Sequence, residues 1–133
     1  LKEIKFDKVF SSPLKRALET AQIITDNDIE IDERLIERCN GELEGKLKSE
    51  CVNMVDFTDE NDSKLGIEPL SKFRGRIENF LSEVEKKYNG KNILIVTHAG
   101  VSIYAKCYFE GEPKDRNYSR YKLKNCEVYT YNL

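Results

Sequence analysis

A chain of 133 residues with 39% apolar and 35% charged side chains has the balance of one soluble globular domain with a modest core, not of a disordered segment. A net charge of −2 gives no general reason to bind nucleic acid, and no apolar run is long enough to cross a bilayer. One histidine and four cysteines without a C-x-x-C pair lack the usual ligand spacing for zinc; with no secretory leader in view, reduced thiols in a cytoplasmic protein are expected.

In chain order, Leu1 to Ile4 reads as the tail of a helix, and Phe6 to Phe10 as a short strand. Ser11-Ser12-Pro13 turns into a helix, with Ser12 placed to cap it and Pro13 to be its first residue. Leu14, Ala17, Leu18, Ala21 and Ile24 recur at helical spacing, while Arg16 lies off that stripe, near the helix start. Ile29-Glu30-Ile31 alternates as a strand. Leu35 to Gly45, with glycines at 41 and 45, reads as a structured loop. Lys46 to Val55 suggests a short helix, and Asp56 to Leu65 an acidic surface loop. Lys72 to Tyr88 is the clearest helix: Phe73, Ile77, Phe80, Leu81, Val84 and Tyr88 share one face. Asn89-Gly90 ends it. Ile93 to Val96 then reads as a strand buried on both faces, followed by Thr97-His98-Ala99-Gly100, a helix from Val101 to Phe109, and Gly111 as its stop. Lys114 to Lys124 is a basic, solvated loop, and Asn125 to Leu133 alternates as a last edge strand. No repeat or linker divides the chain, so residues 1–133 are expected to form a single α/β domain.

The only histidine, His98, falls where a strand becomes a helix. In open α/β sheets ligands bind beyond the carboxyl ends of strands, and the free N–H groups of the following helix favour an anion. Three segments are expected to converge there: Ser11 to Arg16, Glu37 to Gly45 and Thr97 to Gly100. They supply a guanidinium, a carboxyl group and an imidazole, the kinds of group that phosphoryl transfer needs.

Ser11 to Ala21 (SSPLKRALETA) resembles the S-x-x-x-R-A-x-x-T-A signature of the histidine phosphatase superfamily. Leu35 to Gly45 resembles its L-x-E-x-x-x-G-x-x-E-G segment, and Val96 to Val101 its V-T-H-x-G-V strand end. The resemblance runs the length of the chain and implies a phosphoglycerate mutase-like three-layer α/β sandwich with a mostly parallel sheet. It implies that Arg16 binds phosphate, that Glu37 is the general acid and later the base, and that His98 stabilises the transferring phosphoryl group. Ser12, Ala99 and Gly100 would add phosphate contacts. The implied substrate is a small phosphorylated compound, with no metal or other cofactor, no nucleic acid and no membrane.

The family's nucleophile is another histidine, in an R-H-G motif at the end of its first strand. Neither that motif nor a second histidine occurs in this sequence. The expectation is therefore an inactive fragment that lacks the first strand and helix, with an exposed sheet edge through which copies can associate. A phosphatase parent fits better than a mutase, because the stretch between Gly45 and Lys72 is short and Cys39-Asn40 stands where mutases usually carry His-Tyr. The competing class is a non-catalytic phosphate- or ligand-binding module. A flavodoxin-like regulatory domain fits less well, because no glycine-rich loop follows the Phe6 strand.

Overall fold

The computed structural model describes residues 1–41, 44–45 and 66–132. The helix expected over Lys46 to Val55 and the loop from Asp56 to Leu65 lie outside them. Strand β1 (Lys8–Ser11) leads into helix α1 (Lys15–Ile24) and strand β2 (Ile29–Ile31). A single 3-10 turn at Glu33–Leu35 follows. Among the described residues, helix α2 (Leu70–Lys87), strand β3 (Ile93–Val96), helix α3 (Ala99–Glu110) and a 3-10 turn at Tyr118–Tyr121 come next. β1 lies between β2 and β3 and is parallel to both, with Val9 opposite Ile29 and Leu94, and Ser11 opposite Ile31 and Val96. Parallel pairing puts the carboxyl ends of the strands, and the loops that leave them, on one side of the sheet.

Two compact units divide the chain, residues 1–37 with 77–133, and residues 38–76. In the first unit, Val9 and Phe10 of β1 are buried with Ala17 and Ala21 of α1, and with Ile77, Phe80, Leu81 and Val84 of α2. Phe10 meets Phe80 edge-on at 5.2 Å between centroids and Tyr88 at 5.8 Å, the offset geometry that aromatic quadrupoles favour. In the second unit, Ile67, Leu70 and Phe73 are buried. There Arg76 grips the Glu68 carboxylate through Nε and Nη2, both at 2.9 Å, while Arg38 Nε donates to the Glu68 carbonyl.

Arg34 fixes the loop that leaves β2. It forks onto Asp32 and reaches Asn79 Oδ1 at 2.7 Å and Glu83 Oε2 at 2.9 Å on α2. Burial works to raise the Asp32 carboxyl, but the hydrogen bonds and charge of Arg34 outweigh it and hold the group below its ordinary value.

Four expectations change. Leu1 to Ile4 is a turn, closed by Ile4 N–H donating to the Leu1 carbonyl, and not a helix tail. α1 starts at Lys15 and its cap is Leu14, in extended conformation, so neither Ser12 nor Pro13 occupies the expected position. Only Leu94 of β3 is buried, because among the described residues β3 is the sheet's outer strand. No strand forms within residues 125–132; Val128 and Tyr129 are exposed. Among the described residues no helix is long and apolar enough to cross a membrane.

Candidate functional site

Three hydrogen bonds bring the strand-end loops together. Ser12 N–H donates to the Val96 carbonyl at 3.0 Å, which carries the β1–β3 pairing one residue past β1. Asp32 N–H donates to the Ser11 carbonyl at 3.0 Å, tying the β2 loop to the end of β1. Thr97 Oγ1 donates to the Leu35 carbonyl at 2.7 Å, tying that loop to the end of β3. Thr97 is the residue that sequence reasoning missed. The available signal was a hydroxyl on the first residue past an apolar strand, where a side chain can satisfy a loop carbonyl.

The functional groups meet where those loops join. His98 caps α3 through its backbone, whose carbonyl accepts from Ser102 N–H at 3.0 Å. Its side chain does not cap; the Nε2 atom lies 2.7 Å from Ser12 Oγ, and both residues are buried. Ser12 Oγ also accepts the Leu14 N–H at 3.3 Å, so the serine closes the turn ahead of α1 without capping the helix. Glu37 is half-buried, and its Oε2 accepts the Gly100 N–H at 3.0 Å, in the first turn of α3. A carboxylate at a helix start is favoured by the unpaired N–H groups and by the helix dipole. A Cβ on Gly100 would overlap Glu37 Oε1, so only glycine lets the carboxylate approach this closely.

Thus Ser12, Glu37, His98 and Gly100 are brought together, and Ala99 is the first residue of α3 beside them. Arg16 is not joined to them. It is exposed, in the first turn of α1, and among the described residues its guanidinium makes no hydrogen bond or ion pair. Cys39, two residues past Glu37, and Cys126 are exposed thiols, and Cys107 is buried. Among the described residues no three His, Cys, Asp or Glu side chains cluster as metal ligands would. The arrangement offers a buried imidazole, a carboxyl group and a helix-start amide together at the strand ends, with the exposed Arg16 guanidinium on α1.

The family model for the histidine phosphatase superfamily (branch 1) matches residues 1–133. The chain is 32% identical over 144 residues to phosphoglycerate mutase-like protein 4 of Arabidopsis thaliana, covering 99% of this chain and 61% of that protein. The α-ribazole phosphatase of Shigella flexneri superposes with a TM-score of 0.68 at 26% identity, over 86% of this chain and 62% of that one. A phosphoserine phosphatase of Entamoeba histolytica, solved with 3-phosphoglyceric acid, superposes with a TM-score of 0.72 at 24% identity, over 90% of this chain and 64% of that one. The chain therefore spans about three-fifths of the length of these relatives. The three-stranded parallel sheet with its helices is a phosphoglycerate mutase-like α/β fold.

Proposed function

The chain belongs to the histidine phosphatase superfamily, and from that premise we propose that His98, Glu37, Arg16 and the start of α3 form the phosphate-handling part of a phosphomonoester hydrolase. The observation that carries the reading is the Glu37 carboxylate seated on the Gly100 N–H beside His98. That amide is where a phosphoryl oxygen would bind, so the acid already stands at the place where a leaving oxygen needs a proton. An incoming phosphoryl group takes over the amide and releases the carboxyl group towards the ester oxygen. His98 supports the phosphoryl group from the side, and Arg16 folds in from α1 as a fork on its oxygens.

Turnover needs one more group. A nucleophilic imidazole attacks phosphorus, the ester oxygen leaves with the proton of Glu37, and water then gives one of its own protons to the Glu37 carboxylate as it attacks the phosphohistidine, breaking the P–N bond and releasing inorganic phosphate and the imidazole. His98 is the only imidazole in the 133 residues. We therefore expect the chain by itself to bind inorganic phosphate without hydrolysing 4-nitrophenyl phosphate above background. Arg16→Ala is expected to weaken the phosphate binding by about tenfold, the scale of one charge-assisted contact. Titration calorimetry and a release assay read the two properties. Turnover that vanishes in His98→Ala would make His98 the nucleophile and overturn the assignment; phosphate binding unchanged in Arg16→Ala would remove the arginine from the site. The single histidine also favours a second reading, a non-catalytic phosphate-binding module. A parent reading frame that supplies R-H-G decides for the hydrolase. A small phosphorylated metabolite is the proposed substrate class, and the exposed thiols of Cys39 and Cys126 fit a reducing, cytoplasmic setting.

Copies are proposed to associate through the sheet edge. β3 carries Ile93, Leu94, Ile95 and Val96, and among the described residues no strand pairs with its outer side. Such an apolar edge with open N–H and C=O groups recruits another strand. Light scattering on protein of verified mass is expected to give more than the 15.5 kDa of one chain. A cooperatively unfolding monomer would sink the proposal.

A further inference from the structure

We infer that Ser12 is a positioning residue that sets the tautomer of His98, holding the neutral ring with its proton on Nδ1. One buried hydroxyl must place its proton on an acceptor. Ser12 is fully buried, and its Oγ accepts the Leu14 N–H at 3.3 Å. Its only other partner among the described residues is His98 Nε2, at 2.7 Å. If Nε2 carried a proton and donated it to Oγ, the serine hydroxyl proton would be left buried without an acceptor. That costs roughly 1–3 kcal/mol for an unsatisfied donor. If instead the hydroxyl donates to the Nε2 lone pair, the serine proton is satisfied, and the proton of the neutral ring sits on Nδ1. Ser12 cannot easily turn away. Its backbone is fixed by the Val96 carbonyl, and the neighbouring Ser11 hydroxyl donates to the Ser12 carbonyl at 2.9 Å.

The consequence concerns the phosphoryl site. A ring held in this way carries its proton on Nδ1 and enters the phosphoryl site with Nε2 already engaged as an acceptor. The inference rests on the phosphoryl reading for that consequence, but not for its own test. Because the chain has one histidine, the ring nitrogens of His98 are the only imidazole signals in a two-bond proton–nitrogen correlation spectrum. The wild-type chain, above the pH at which the ring ionises, is expected to show Nδ1–H as the major tautomer. Ser12→Ala is expected to shift the ratio towards Nε2–H by about 2- to 12-fold, the equivalent of one net hydrogen bond. Ser12→Thr, which keeps the hydroxyl, is expected to restore it. A wild-type ring that is mainly Nε2–H overturns the inference even if Ser12→Ala does not fold. So does a folded Ser12→Ala with an unchanged ratio. Neither result depends on phosphate binding, so the proposed function and this inference fail separately.

Discussion

Glu37→Gln is expected to lower kcat for an unactivated alkyl phosphomonoester by about 10²–10⁴-fold, in an enzyme that joins this chain to a nucleophilic histidine. The amide keeps the shape of the side chain and can still accept the Gly100 N–H, but it has no proton to give the leaving oxygen. An ester with a good leaving group, such as 4-nitrophenyl phosphate, departs without that proton and should lose far less. Gly100→Ala tests the same geometry from the other side. The added methyl would overlap the end of the Glu37 side chain, which is flexible, and not backbone. Folding should therefore be nearly unaffected, while the carboxyl group is pushed off its amide. A misplacement of that kind costs about 10²-fold in rate. Steady-state kinetics on the paired substrates reads both variants. Equal losses for the activated and unactivated esters would speak against Glu37 as the acid.

What could be read from the residues, and what could not, divides by the range of the interactions. The position of His98 was legible because a β-branched run followed by a glycine and a helix pattern is a local signal, and it placed the imidazole past a strand end. The same holds for α2: of the six apolar positions that share one face in the sequence, Phe73, Ile77, Phe80, Leu81 and Val84 are buried on the helix, and Tyr88, half-buried, lies one residue past its end. Ser12 was misjudged because a serine hydroxyl ahead of a helix has a local use, the cap, that competes with tertiary uses. Its actual partner lies 86 residues away. The bond between Thr97 and Leu35 spans 62 residues and was hidden for the same reason. Residues 125–132 show the opposite case. Their alternation suits a strand, but a strand exists only where a neighbour offers a ladder, and none of the described strands does. Arg34 had no local signature at all; its role depends on α2 presenting Asn79 and Glu83 on one face, four residues apart.

Phe80→Ala is expected to reduce the unfolding free energy of the chain by about 3–5 kcal/mol, the range for deleting a buried aromatic ring. Phe80 has no exposed surface, and contacts from two other elements converge on it. Phe10 of β1 packs edge-on against it and the Arg34 guanidinium lies 5.2 Å above its ring, while Ile77 and Val84 of the same helix are also buried. The loss therefore combines apolar transfer, an unfilled cavity and a broken cation–π contact. Against a total of about 5–15 kcal/mol for a domain of this size, it removes a large part of the stability. The site would suffer with the core, because Phe10 immediately precedes Ser11 and Ser12, and the Ser12 hydroxyl lies against His98 Nε2. Ile23→Ala, on the exposed face of α1, is the control and should stay within about 0.5 kcal/mol of the parent. Urea unfolding followed by far-ultraviolet circular dichroism measures both. A Phe80→Ala loss as small as that of Ile23→Ala would mean that the aromatic layer between β1 and α2 is not what holds the sheet.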